Sequence, residues 1–272
     1  MRAQLPDTDI WLADLTIDDA GIRIGTPVNA TRRPGYDNQP CFLPSGGAFL
    51  YSAGDSTGTD VYRREADGTI VRLTRTPESE YSPTPLPLGM DGFCAVRVEA
   101  DSTQRLWRFD SDGGNPRLVL ADVDSVGYFE WIDRATLALF IVGDPHTLRI
   151  VDVASQRETI VARDIGRFIR CVPGTSHLVY TVHNPDDSWR FILLPPGEDP
   201  RPLLDGVGTG QDAAWARDVL FTSSGAAVYA ARVLAGGSWE PVLDAAGAGI
   251  ASITRMAVRA DRARIALVCV SE

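Results

Sequence analysis

Lysine is missing from this sequence altogether. All 26 basic side chains are arginines, set against 36 carboxylates for a net charge of −10. Without lysine there is no Schiff-base chemistry on a side-chain amine and no P-loop lysine beneath a phosphate. The acidic balance repels phosphate backbones, so nucleic acid is not an expected partner. Cysteine is scarce and scattered: Cys41, Cys94, Cys171 and Cys269 show no C-x-x-C spacing, and each lies in or beside an apolar segment (QPCFL, GFCAV, IRCVP, ALVCV). Such thiols pack as small hydrophobes, and neither a disulfide framework nor a zinc site is indicated. Histidine occurs only as His146, His177 and His183. No apolar run is long enough to cross a bilayer, so membrane insertion is not expected. The opening MRAQLPDTDIW lacks the basic-then-apolar plan of a signal peptide. That leaves the cytoplasm if this start is native, and the periplasm or exterior if a leader was removed. No segment sustains a helical period capped at both ends, which points to an all-β chain.

What the chain does have is a repeat of about forty residues. YDNQPCFLPSGG from Tyr36 aligns with YSPTPLPLGMDG from Tyr81 at an offset of 45, matching Tyr, Pro and the terminal Gly. TDVYRREADGTIVRLT (59–74) and QRLWRFDSDGGNPRLVL (104–120) share an aromatic, an alternating strand, an acidic-glycine turn and a closing Arg-Leu strand. Fainter copies follow, so that Tyr62, Trp107, Arg149, Phe191 and Tyr229 recur at spacings of 45, 42, 42 and 38. Four strand-length segments per unit at this period form the pattern of a β-propeller blade. Five units fill residues 36–80, 81–124, 125–166, 167–209 and 210–249. Two strands are left at the tail (ITRMAVRAD, RIALVCVSE) and two at the head (DIWLADLT, GIRIGTPVNA). The expectation is a single domain over 1–272: a six-bladed β-propeller of four-stranded antiparallel blades. Its last blade is closed by N- and C-terminal strands, 250–272 with 8–30.

The run NATRRPGYDNQPCFLPSGGAFLYSAGDSTGTDVYRREADGTIVRLTRTP resembles a repeat of the TolB-type propellers: a threonine-rich lead-in, a tyrosine, a Ser-Pro-Asp-Gly-like turn, an "I-Y" strand and "L-T". The resemblance is good over residues 30–124 and covers the propeller only. TolB itself carries a separate N-terminal α/β domain for which this chain has no room, so its role in envelope linkage is not carried over. The same repeat occurs in non-catalytic propellers of prolyl-oligopeptidase-like enzymes and in oligogalacturonate lyases. The resemblance therefore implies a fold more than a function.

GDSTG (54–58) has the Gly-x-Ser-x-Gly form of a hydrolase elbow, which would make Ser56 a nucleophile. That elbow needs a strand before it and a helix after it. Alternating segments flank it on both sides, so a hairpin connection is expected. A metal could draw on His146, His183 and Asp187, but three histidines in this chain give no cluster by spacing, and polar-loop turn chemistry accounts for these residues. No cofactor is expected. The face carrying the longer loops also carries Glu78, Glu80, Asp101, Asp122, Asp124 and Asp212, a set able to form a negative funnel, with Arg32, Arg33, Arg75, Arg163 and Arg167 there to offset it. The six tryptophans fall at repeat positions suited to packing between blades.

The expected function is non-catalytic: binding of a protein or peptide, by a monomer, through the loop-rich face or the central channel. The rival is a small-ligand-binding or metal-dependent enzyme of lyase or hydrolase type using the central cavity. By repeat alignment the channel mouth falls at the starts of the innermost strands, near Asn38, Thr84, Tyr128, Phe168, Asp212 and Arg255.

Overall fold

Near-continuous apolar runs mark the second strand of each unit: FLYSAGD, FCAVRV, TLALFI, LVYTVH, VLFTSS and RIALVCVS. Such runs belong to strands covered on both faces. The computed structural model, which describes residues 5–44, 46–55 and 57–271, places each of them inside a sheet and between two neighbouring sheets. Blade 1 comprises Tyr36–Phe42, Phe49–Asp55, Gly58–Arg64 and Ile70–Arg72. Blade 2 follows with Ser79–Pro85, Phe93–Val98, Gln104–Phe109 and Arg117–Leu118. Blade 3 holds Val126–Trp131, Thr136–Ile141, Thr147–Asp152 and Glu158–Arg163. Blade 4 holds Ile165–Cys171, Leu178–His183, Trp189–Leu194 and Arg201–Asp205. Blade 5 holds Ala213–Ala216, Val219–Ser224, Ala227–Arg232 and Glu240–Asp244.

The sixth blade is built from both ends of the chain. Ile250–Val258 and Arg264–Ser271 form its inner half; Asp9–Asp18 pairs antiparallel with the latter from Asp9↔Cys269 to Asp14↔Arg264, and Gly21–Ile24 lies outermost. Closing the ring this way leaves no open sheet edge between the first and last blades. The protein is a six-bladed β-propeller with four-stranded antiparallel blades, the sixth extended by the short pairing of Val28–Asn29 with Asp9–Asp18.

Neighbouring blades are held by apolar layers and by a repeated polar clasp. Between blades 5 and 6 lie Phe221, Val228, Ile253, Ile265 and Leu267; between blades 2 and 3 lie Leu106, Phe129, Leu137 and Leu139. The clasp explains the threonines of the repeat. Thr31 Oγ accepts the Ile10 N–H at 3.0 Å and lies 3.0 Å from Asp9 Oδ1. One blade on, Thr74 Oγ accepts the Val61 N–H at 2.8 Å and lies 3.2 Å from Asp60 and 3.0 Å from Glu80. Glu80 is fully buried and paired with Arg97 at 3.0 Å, and the Arg97 guanidinium lies over the Trp107 ring. Glu80 therefore takes no part in a surface funnel. It is a blade-to-blade strut, and burial raises its carboxyl above the usual range.

The strand register corrects the alignment of the first two repeats. Asn38 pairs with Ser52 and Cys41 with Leu50, leaving Gln39 and Pro40 as a bulge; Tyr81 pairs with Val96 and Thr84 with Cys94, leaving Ser82 and Pro83 as the equivalent bulge. Asp37 therefore corresponds to Glu80 and Pro40 to Pro83, a shift of two residues from the tyrosine-on-tyrosine alignment. Blade 2 starts at Ser79. Bulges also interrupt the innermost strands of blades 3, 4 and 6, at Gly127, between Ile165 and Ile169, and at Thr254. A bulge re-aims every side chain beyond it. In blades 3 and 4 it needs glycine, because a Cβ on Gly127 would meet Phe140 at 2.8 Å and one on Gly166 would meet Thr181 Oγ at 2.4 Å.

Candidate binding site in the central channel

The innermost strands line an axial channel, and the bulges decide which side chains enter it. Gln39, Ser82, Tyr128, Asp212 and Arg255 come together around a narrow space of about 30 Å³, together with Thr84, Cys41, Arg170 and Met256. Past this neck the channel widens to about 180 Å³ among Pro40, Cys41, Phe42, Arg170, Cys171, Trp215, Met256 and Val258. Phe42, Cys171 and Val258 are the last residues of their strands, so the open volume lies toward the short-turn face. The expected mouth at the strand starts is filled by side chains instead. Tyr36 packs edge-on against Tyr81 at 6.3 Å, in the field of Tyr128, Arg167 and Arg255. Burial pushes the Tyr36 phenol well above its ordinary value.

Arg255 is the centre of the neck. Its Nη2 donates to the Tyr128 hydroxyl at 2.6 Å, its Nη1 lies 3.4 Å from Asp212 Oδ2, and the guanidinium sits 4.9 Å from the centre of the Tyr128 ring. The phenol and the Asp212 carboxylate outweigh burial and hold its pKa above the ordinary arginine value. Arg167 approaches the same carboxylate oxygen at 3.6 Å and donates from Nη2 to the Thr254 carbonyl at 2.6 Å. Burial and the nearby Arg255 hold the Arg167 guanidinium below its usual range. One level deeper, Arg170 lies 3.6 Å from Glu130, whose partly buried carboxyl is raised by desolvation and accepts the Cys171 N–H at 3.1 Å. Burial also raises the thiols facing this space, Cys41 to about 11 and Cys171 to about 12, which keeps them protonated at neutral pH.

Of the six positions read from the sequence, the structure brings Tyr128, Asp212 and Arg255 into direct contact and puts Thr84 on the same wall. Two need correcting by one residue. Asn38 is buried beside Thr8, its Nδ2 donating to Thr8 Oγ at 3.4 Å, and Gln39 takes the channel position. Phe168 is packed between blades against Phe191, and its neighbour Arg167 is the one that reaches Asp212 at the neck. Side chains alternate along a strand, so a one-residue slip exchanges channel for core.

The other candidates lie elsewhere. Ser56 is outside the described residues, but the strands on either side of it pair directly, Asp55 with Gly58, and Asp55 accepts from the Thr57 N–H at 2.8 Å. This is strand, turn, strand, and no helix follows. His183 lies 3.4 Å from Asp187 and stacks near Trp189, whereas His146 accepts the Gly143 N–H on Nδ1 and packs on Phe140. Among the described residues no three His, Cys, Asp or Glu side chains are placed to hold a metal ion together. Trp11, Trp107, Trp131, Trp215 and Trp239 pack on the inter-blade core.

No protein-family model matches the sequence, and a search of curated proteins finds no match. Solved structures do match in shape. A protein described as a TolB, from Agrobacterium tumefaciens, superposes with a TM-score of 0.73 at 14% identity, over 97% of this chain and 98% of that one. A gluconolactonase from Xanthomonas campestris gives 0.68 at 12% identity over 99% of both chains. TolB from Acinetobacter baumannii gives 0.63 at 8% identity, over 97% of this chain and 64% of its own length. The fold is TolB-like. Identities this low establish the fold alone, and that fold carries both binding proteins and enzymes.

Proposed function

We propose that the protein is a non-catalytic binding module, monomeric, that takes a protein or peptide segment in its central channel. The observation carrying this reading is the Tyr128–Arg255–Asp212 contact across the neck, set on rigid innermost strands beside a cavity of about 180 Å³. A concave site with a few convergent polar groups on fixed strands suits recognition. The groups present lack the arrangement of a nucleophile with a base oriented by a third residue. The net charge of −10 argues against nucleic acid as the ligand.

The enzymatic reading draws on one specific observation. Glu130 is a partly buried carboxyl with a raised pKa behind the cavity residues Arg170 and Cys171, the kind of group that serves as a general acid. Selection of a displayed peptide library on the immobilised protein tests the first reading, with the joint Tyr128→Ala, Arg255→Ala variant as counter-selection. Peptides retained by the parent and lost by the folded variant support it. Hydrolytic or lyase activity abolished by Glu130→Gln, with no peptide selected, supports the second.

A further inference from the structure

At the neck of the channel, positive charge exceeds negative charge. Arg255 and Arg167 approach the same oxygen of Asp212, at 3.4 and 3.6 Å, so a single carboxylate serves two guanidiniums. Neither contact is close. The short hydrogen bonds of both arginines go to neutral acceptors, the Tyr128 hydroxyl and the Thr254 carbonyl. Arg167 Nε is buried and has no hydrogen-bond partner among the described residues. The remaining charges on this wall, Arg170 and Glu130, are 3.6 Å apart and offset each other one level deeper. The Arg167–Asp212–Arg255 group therefore carries one net positive charge in a partly buried setting, within a protein whose overall charge is strongly negative.

We infer that Arg167 and Arg255 together bind a carboxylate group of the ligand at this neck. Arg255 lines the neck and Arg167 reaches the same Asp212 oxygen from beside it, and guanidiniums are the side chains best suited to a planar carboxylate. A cation meets two like charges there. One net positive charge matches the single negative charge of a carboxylate better than the nearly double charge of a phosphate. The carboxylate has two possible sources, a peptide (its C-terminus or an acidic side chain) or a sugar acid. The inference rests on the channel being the binding site and adds the chemistry that fills it.

Isothermal titration with three probes tests it: the peptide Ala-Ala-Glu, its uncharged counterpart Ala-Ala-Gln amide (N-acetylated), and galacturonate. Ala-Ala-Glu is expected to bind, and the uncharged peptide to bind at least about tenfold more weakly, in line with the strength of charge-assisted hydrogen bonds. Arg167→Gln should weaken the charged peptide by about tenfold or more. Asp212→Asn should tighten it, because it removes the internal carboxylate that competes for the same two arginines; a merely structural role for Asp212 gives no tightening. Melting temperatures near the parent's identify the variants that are folded, and Arg167→Gln carries the test if Asp212→Asn is not. Galacturonate binding with this variant pattern while neither peptide binds keeps the carboxylate site and overturns the peptide reading. Equal binding of charged and uncharged peptides keeps the peptide reading and overturns the carboxylate site. Binding of none of the three overturns the inference.

Discussion

Arg255 of blade 6 donates a 2.6 Å hydrogen bond to the hydroxyl of Tyr128 in blade 3, joining opposite sides of the ring across 127 positions of sequence. The same guanidinium lies over the Tyr128 ring at 4.9 Å. Tyr128→Phe keeps the ring and removes the acceptor, so it separates the two contacts. The side chains are partly buried, and the lost charge-assisted bond should cost roughly 1–2 kcal/mol, read as a lower urea midpoint with unchanged slope. An unchanged midpoint would mean that the hydroxyl does not hold Arg255 in place.

Asp37 gives the protein a pH dependence of definite sign. Its side chain is fully buried, and burial raises its pKa to about 6 despite the 2.8 Å pair with Arg33. In the unfolded chain the group titrates near its ordinary value, about 4. Between these values the folded state binds more protons than the unfolded one, so this group's contribution is full below about pH 4 and lost as pH rises to about 6. The loss is on the order of 3 kcal/mol by linkage. Asp37→Asn removes the titration. The stability difference between parent and variant should move in the variant's favour from pH 4 to pH 6 and stay level above that. A difference that is constant over this window would contradict the assignment.

The fold was legible because a propeller writes its period directly into the chain. Asp9-Ile10-Trp11 and Asp60-Val61-Tyr62 mark the same third-strand position, and their aspartates meet the same threonine clasp in space. The channel was legible only where the innermost strands run without a misread bulge. Asp212 and Arg255 line the neck, as does Tyr128, which follows a bulge at Gly127 that a glycine in a strand can signal. Phe168 and Asn38 were misplaced because bulges leave no periodic trace: Gln39-Pro40 and Ser82-Pro83 read as ordinary strand, yet Gln39 and Ser82 adopt φ of 56° and 53°. The polar residue ahead of each proline was the available signal, since such backbone is rare and tends to gather at functional sites.

Closure of the ring by the head of the chain predicts the effect of removing it. Deleting residues 1–28 takes away Asp9–Asp18 and Gly21–Ile24, and bares the Arg264–Ser271 strand, whose five central residues, Ile265 to Cys269, are buried. An unpaired apolar edge promotes self-association. Size-exclusion chromatography should show aggregates or higher oligomers, with a lowered melting temperature in whatever remains soluble. A monomer melting with the parent would mean that blade 6 does not depend on the N-terminal strands.

The most direct test of channel binding reads the arginine side chains themselves. Nuclear magnetic resonance of the protein labelled with ¹⁵N at arginine Nε follows each N–H during titration with a peptide taken from library selection. Binding in the channel predicts shifts at Arg167, Arg170 and Arg255, with Arg72, Arg117 and Arg201 on outermost strands unmoved. Shifts confined to the outermost-strand arginines, with Arg167 and Arg255 silent, would contradict the account.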